Sequence, residues 1–348
     1  MSFFRPNIDS LQGYVAGQQP QQGKWIKLNT NENPYPPSPA VMQAIGGITG
    51  ERLTRYPDPV ATAFRQQAAS VLGVPPSWIL CGNGSDDILT VVTRALVAEG
   101  GRLRAPYPSY LLYETLADIQ GAQIATVPYE RDWSLSDAFV SDCEKVQLAV
   151  LANPNSPSGT ILSRARIVEL AEKLPCPLLV DEAYADFSDE NCIRLVAENE
   201  RIMVSRSLSK SYALAGMRFG FLVAQESIIE RLLCVKDSYN CDTLSIAGAT
   251  AAIADQAWRS ENCKKIVATR SRMTEALEDL GFDIPPSQAN FLWCTHPTVP
   301  LRPIYERLRE ERILVRYMEY ADWGDGLRIS VGSDEQVDAC LMMLRMMV

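Results

Sequence analysis

The sequence predicts an α/β chain, with a mainly parallel sheet between helices and a smaller α+β region after it. Three observations predict this. Val146–Ala152 and Leu178–Val180 are near-continuous apolar runs, the pattern of strands covered on both faces. Strand-like and helix-like stretches alternate from residue 78 onward, as parallel βαβ units require. Polar clusters also fall just after strand ends, at Gly82–Asp86, Asn153–Gly159, Asp181–Tyr184 and Ser207–Lys210. Ligands of open α/β sheets gather at the carboxyl ends of the strands, so these clusters are expected to form one site.

Composition bounds the function. The 348 residues are 47% hydrophobic and 22% charged, which is ample for two domains. The expected division is an arm that joins part of the small domain (1–49), a large domain (50–250) and a small C-terminal domain (251–348). The net charge of −9 and the absence of any Lys/Arg run exclude a nucleic-acid partner. No apolar run reaches the length of a membrane span, and the N-terminus Met-Ser-Phe-Phe-Arg-Pro has no apolar signal core. Nine cysteines occur with no Cys-x-x-Cys pair, so no zinc site or disulfide framework is expected, and a reduced, cytoplasmic setting is. With His296 as the single histidine, a Ser-His-Asp hydrolase or a His-rich metal site has too little to work with.

The elements follow in order. Residues 1–49 are rich in Pro, Gly, Gln and Asn and read as an extended arm. Ala61, Phe64, Ala68 and Val71 share one helical face, closed by Gly73. Trp78–Cys81 reads as a strand, and a helix runs from Asp86 to about Val97. A helix over Leu111–Ile119 precedes a strand at Gln123–Val127. Beyond the strand at 146–152, a helix begins near Ser163 with Ile167, Leu170, Ala171 and Leu174 on its face. Ile202–Val204 and Phe219–Ala224 are strands that flank the lysine segment. The C-terminal region reads as a helix over Asn262–Leu280, strands at Ala289–Trp293, Ile313–Arg316 and Leu327–Gly332, and a helix near Pro303–Glu311. The last helix opens with a capping box, Ser333 to Gln336, and turns Val337, Leu341 and Leu344 inward.

The residues at the strand ends fit one cofactor. A lysine in a loop between buried strands loses hydration, so Lys210 is a candidate for a neutral amine that forms a Schiff base with a carbonyl. Ser207, Ser209 and Arg218 surround it with phosphate-binding groups. The Gly82-Asn83-Gly84-Ser85-Asp86 turn lets the backbone approach an anion, and the N–H groups at Ser85 and Asp86 open a helix. Asp181 ends a buried strand and needs a cation or a donor. The ring nitrogen of pyridoxal 5′-phosphate (PLP) is one, and the carboxylate would keep it protonated. Tyr184 can donate to the ring hydroxyl oxygen, and an aromatic such as Tyr110 at a strand end can stack on a flat ring.

On these residues the chain resembles the fold-type I PLP-dependent aminotransferases, and among them the histidinol-phosphate aminotransferase family. The resemblance spans nearly the whole length. It is carried by Asn31-Glu32-Asn33-Pro34, Arg55-Tyr56-Pro57-Asp58, Gly82–Asp86, Asp181-Glu182-Ala183-Tyr184, Ser207–Gly220 and Leu327–Gly332. It implies a large domain with a seven-stranded-type sheet and transamination between L-histidinol phosphate and 2-oxoglutarate. It makes Lys210 the cofactor lysine and proton carrier, pairs Asp181 with the ring nitrogen and Tyr184 with the ring oxygen, and stacks Tyr110 on the ring. Tyr56 would reach the cofactor phosphate of a neighbouring subunit, which requires a homodimer. Arg328 and Arg316 would hold the substrate anions, with Tyr14 and Asn33 closing over them. Where the family has Asn before its Pro, this chain has Ser156 preceded by Asn155, so either can take over the contact to the ring oxygen. Gln18 and Gln19 stand where relatives often carry a basic residue. Other readings on this scaffold are an aromatic amino-acid aminotransferase and a threonine-phosphate decarboxylase. A PLP-binding regulator lacks the expected basic segment.

Overall fold

The apolar runs assemble as strands because only a sheet covered on both sides buries them completely. The structure, a computed structural model, describes residues 2–11, 13 and 17–348. The strands are β1 (Ile26–Lys27), β2 (Ile79–Gly82), β3 (Arg102–Tyr107), β4 (Gln123–Pro128), β5 (Val146–Ala152), β6 (Leu178–Asp181), β7 (Ile202–Ser207), β8 (Gly220–Val223), β9 (Phe291–Cys294), β10 (Ile313–Leu314), β11 (Arg316–Tyr320) and β12 (Gly324–Ser330). A seven-stranded sheet runs β2-β8-β7-β6-β5-β3-β4. Every neighbour is parallel except β8, which is antiparallel to both β2 and β7. The reversal has a local cause. Residues 208–219 join β7 to β8 with no crossover α-helix, and a parallel neighbour needs one.

Helices cover both faces. Phe64, Ile167, Leu170 and Phe219 are fully buried on one side, and Ile88, Leu89, Leu116 and Tyr113 are buried on the other. Each such side chain contributes on the order of 1.5–3 kcal/mol of transfer free energy. The expected helices are present as Thr62–Leu72, Ser85–Leu96, Leu112–Gln120 and Arg164–Lys173. Glu226–Leu233 and Thr243–Ala254 are further helices. The second is small-residue-rich and nearly apolar all round, so it carries no one-sided stripe to read.

The C-terminal chain builds a three-stranded antiparallel sheet, β11-β12-β9, beside the helices Gln256–Glu278, Leu301–Glu310 and Asp334–Leu344. The run expected as one strand at Ile313–Arg316 is divided. β10 pairs in parallel with β1 of the arm, whereas β11 pairs with β12. The capping box of Ser333 and Gln336 is present. All nine cysteines are unpaired, and Cys234 is the exposed one. Among the described residues no helix is long and apolar enough to cross a membrane.

Candidate active site

The strand ends of β2, β5, β6 and β7 share one edge of the sheet, where register pairs Ala152 with Asp181, Asp181 with Ser205, and Ser207 with Gly220. A cavity of about 280 Å³ opens there. Ser85, Asp86, Tyr110, Ser156, Asp181, Tyr184, Ser207, Ser209, Lys210, Arg218, Arg316 and Arg328 line it. Twelve residues drawn from separate stretches of sequence therefore meet in one space.

Lys210 Nζ donates to the Thr30 carbonyl at 3.0 Å and lies 5.7 Å from the centre of the Tyr184 ring. Burial, helped by the positive charges of Arg328 and Arg218, lowers its pKa to about 8. Much of it is therefore a free, nucleophilic amine in mildly alkaline solution. Asp181 accepts from Tyr113 Oη and Ser205 Oγ, each at 3.0 Å. No ion pair among the described residues reaches it, and burial raises its carboxyl to about 6. It is a carboxylate waiting for a cation. Tyr184 Oη accepts from Asn31 Nδ2 at 3.0 Å, which leaves its own hydrogen free to donate. Burial raises the Tyr184 phenol, so the hydroxyl stays protonated.

An anion cradle lies opposite. The helix Ser85–Leu96 has Gly84 at its N-cap and no side chain capping it, and its first two residues, Ser85 and Asp86, line the cavity. Gly84 has φ of +83°, and a Cβ there would stand 2.6 Å from Arg218 Nη2, so glycine is required. Arg218 pairs with Asp86 Oδ2 at 3.1 Å and donates to Ser209 Oγ at 3.4 Å. Tyr110 Oη donates to the other oxygen of Asp86 at 3.2 Å.

On the third side, Arg316 and Arg328 are register partners across β11 and β12. Arg328 donates to Ser156 Oγ at 2.9 Å and to the Asn29 carbonyl at 3.3 Å, while its Nε is buried without a partner. Asn29 Oδ1 in the same wall is also buried and unpartnered. A ring cation for Asp181, a carbonyl for Lys210 and an anion for the N–H cradle are what this donor set lacks. The residues therefore fit PLP.

Some expected residues fall elsewhere. Asn155 does not face the cavity. Its amide bonds the Pro108 carbonyl and Ser158 and accepts from Ser109, all inside the loop, so Ser156 is the residue of that pair at the cavity. Asn33 does not line the cavity either, because its amide donates to the carbonyls of Lys210 and Ser211 at 3.0 and 3.3 Å. Tyr56 is 76% exposed and stacks on Tyr239 with ring centres 4.4 Å apart. Tyr14 lies outside the described residues. Sequence reasoning missed Thr30, Asn31, Tyr113 and Ser205. Two of these left a signal: Tyr113 shares a helical face with Leu116 and Ala117, and Asn31 stands in the Asn31-Glu32-Asn33-Pro34 segment that carries the resemblance.

Three comparisons bear on this geometry. The model of the family "Aminotransferase class I and II" matches residues 23–344. A histidinol-phosphate aminotransferase of Rhodopirellula baltica is 56% identical over 98% of this chain and 94% of its own. Histidinol-phosphate aminotransferase 1 of Trichormus variabilis is 43% identical over 99% and 98%. The crystal structure of histidinol-phosphate aminotransferase from Sinorhizobium meliloti, in complex with pyridoxal-5′-phosphate, superposes with a TM-score of 0.92 at 26% identity. It covers 100% of this chain and 99% of that one.

Proposed function

Since this chain belongs to the class I and II aminotransferases, with the fold-type I architecture, we propose that it transfers the amino group of L-histidinol phosphate to 2-oxoglutarate. The products are imidazole-acetol phosphate and glutamate, the cofactor is PLP, and the step belongs to histidine biosynthesis. One observation carries the substrate class. Arg316 and Arg328 stand side by side in the cavity that holds Lys210, and a planar guanidinium suits both a carboxylate and a phosphate. The relatives named above favour histidinol phosphate over an aromatic amino acid or threonine phosphate.

PLP, when bound, supplies a ring that takes up the electrons released at the substrate Cα. The residues do the rest. Asp181 holds the proton on the ring nitrogen, and Tyr113 and Ser205 fix the carboxylate that does so. Tyr184 and Ser156 face the ring oxygen. Tyr110 covers the ring. The N–H groups of Ser85 and Asp86, the hydroxyls of Ser207 and Ser209, and Arg218 hold the phosphate. Arg218 is already neutralised in part by Asp86, so neutral donors carry much of that task. Lys210 would hold the cofactor's aldehyde carbon, and its neutral Nζ would be the base placed to take a proton from the substrate Cα.

Tyr56, exposed on its own subunit, is assigned to the cofactor phosphate of a partner, which makes the working unit a homodimer. The chain divides into the arm (1–49), the large domain (50–250) and the small domain (251–348), and the unpaired thiols are in keeping with the cytoplasm. Single-turnover spectroscopy of the PLP-loaded protein tests the reading. Rapid loss of the cofactor's visible band is expected with L-histidinol phosphate, and little change with phenylalanine or threonine phosphate. Faster conversion with phenylalanine would replace the substrate, and no bound chromophore would overturn the whole.

A further inference from the structure

Behind the lysine segment, on the face of the sheet away from the substrate cavity, lies a charged network that the reaction above does not use. Asp186 is at its centre. One carboxylate oxygen receives Arg206 Nη1 at 2.9 Å and Arg259 Nη1 at 3.2 Å. The other accepts from Ser211 Oγ. Arg206 is in turn paired through Nε with buried Glu182 at 2.8 Å. These residues come from different parts of the chain. Arg206 is on β7, Arg259 is in the first turn of the helix Gln256–Glu278, and Ser211 directly follows Lys210.

The segment that Asp186 grips needs an external hold. Between β7 and β8, Ala213 and Arg218 both adopt left-handed backbone, with φ of +58° and +50°. Non-glycine residues occupy that region only where their surroundings over-determine it. Two clamps do so here. Asn33 takes the carbonyls of Lys210 and Ser211 on the substrate side, and Asp186 takes the Ser211 hydroxyl on the other.

We propose that Asp186 is a positioning residue for Lys210: through Ser211 it fixes the lysine's backbone, and through Arg259 it ties that backbone to the helix Gln256–Glu278. A shift of that helix is then felt at Lys210 without passing through the cofactor. The inference rests on the reading of Lys210 as the reactive amine, and it adds a residue that touches no reactant. A neighbouring cavity of about 720 Å³ is lined by Asp186, Arg206, Arg259 and Tyr212. It leaves room for a small carboxylate to replace a missing side chain.

That room supplies the test. Ser211→Ala and Asp186→Ala are compared with the parent as holoenzymes. A misplacement of the reactive group by about an ångström costs roughly a hundredfold. The expected result is a kcat loss of roughly ten- to a hundredfold in both variants, with KM little changed, and recovery of Asp186→Ala, but not Ser211→Ala, on adding formate. A second readout uses the cofactor-free proteins. The rate at which an amine reagent modifies Lys210, followed by mass spectrometry, should change in both variants while the other lysines keep their rates. If Ser211→Ala shows parental kcat and parental Lys210 labelling, the proposal is overturned. It is equally overturned if formate leaves a folded Asp186→Ala unrescued. A parent protein that labels at Lys210 as described but transaminates nothing would sink the functional reading and leave the positioning result standing.

Discussion

Arg328 donates from Nη1 to Ser156 Oγ at 2.9 Å, and so joins β12 to the loop that leaves β5. The hydroxyl accepts from the arginine and keeps its own hydrogen for the cavity. One residue thus anchors the guanidinium proposed to hold the substrate while itself lining the cavity.

Ser156→Ala removes a hydrogen bond to a charged group, worth about 1.5–3 kcal/mol. KM for histidinol phosphate and for 2-oxoglutarate should both rise, by roughly tenfold, with kcat changed much less. Steady-state kinetics with each substrate varied in turn decides this, and a change in kcat alone would contradict it.

Asp181 gives a stability prediction with a sign. Its native pKa of about 6 exceeds the ordinary 3.8, so the folded cofactor-free protein holds a proton that the unfolded chain releases. Stability therefore falls as pH rises from about 4 to about 6, and above that the full penalty of about 3 kcal/mol is present. Asp181→Asn removes it. Cofactor-free Asp181→Asn should melt higher than the parent at neutral pH and equal it near pH 3, while transamination is lost. Melting curves across that range, with no crossover toward equality in acid, would refute the assignment.

Lys210 runs the other way. Its native pKa of about 8 lies below the ordinary 10.5, so the neutral amine predominates above pH 8. Attachment of PLP to the cofactor-free protein should accelerate as pH rises through about 8. Lys210→Ala should reduce turnover by at least about a thousandfold. Stopped-flow absorbance measures the first and product assay the second.

The shared-site reading can be checked by complementation. Tyr56→Ala and Lys210→Ala homodimers should each be impaired, and a mixture allowed to exchange subunits should regain activity, because one site of each mixed dimer carries both residues intact. If mixing restores nothing while exchange is demonstrated, Tyr56 serves its own subunit.

Much of this was legible in the chain. The strand-end clusters reached the cavity because a parallel sheet brings its carboxyl ends to one edge whatever the order of the strands. What stayed hidden depended on geometry that one-dimensional spacing does not hold. Ser205 meets Asp181 only through the register of β6 on β7. Asn31 takes the role of facing Tyr184, and Asn33 turns to the lysine backbone, because Asn31 has φ of +55° and reverses the direction of the arm there. Asn155 and Ser156 are neighbours of similar polarity, and only the loop's own hydrogen bonds choose which one is spent internally.

The pairing of β1 with β10 joins the arm to a strand from the far side of the chain. Leu28 N bonds the Leu314 carbonyl, Ser330 N bonds the Leu28 carbonyl, and Asn31 N bonds Ser330 Oγ. The arm precedes the seven-stranded sheet in sequence, and the strand that seats it follows that sheet. The sheet that carries Lys210 is contiguous in sequence, whereas the Thr30 wall reaches it only through this closure. Long-range closures of this kind are slow steps in folding. The setting of the reactive amine is thus completed by contacts between the two segments of the chain that flank the sheet.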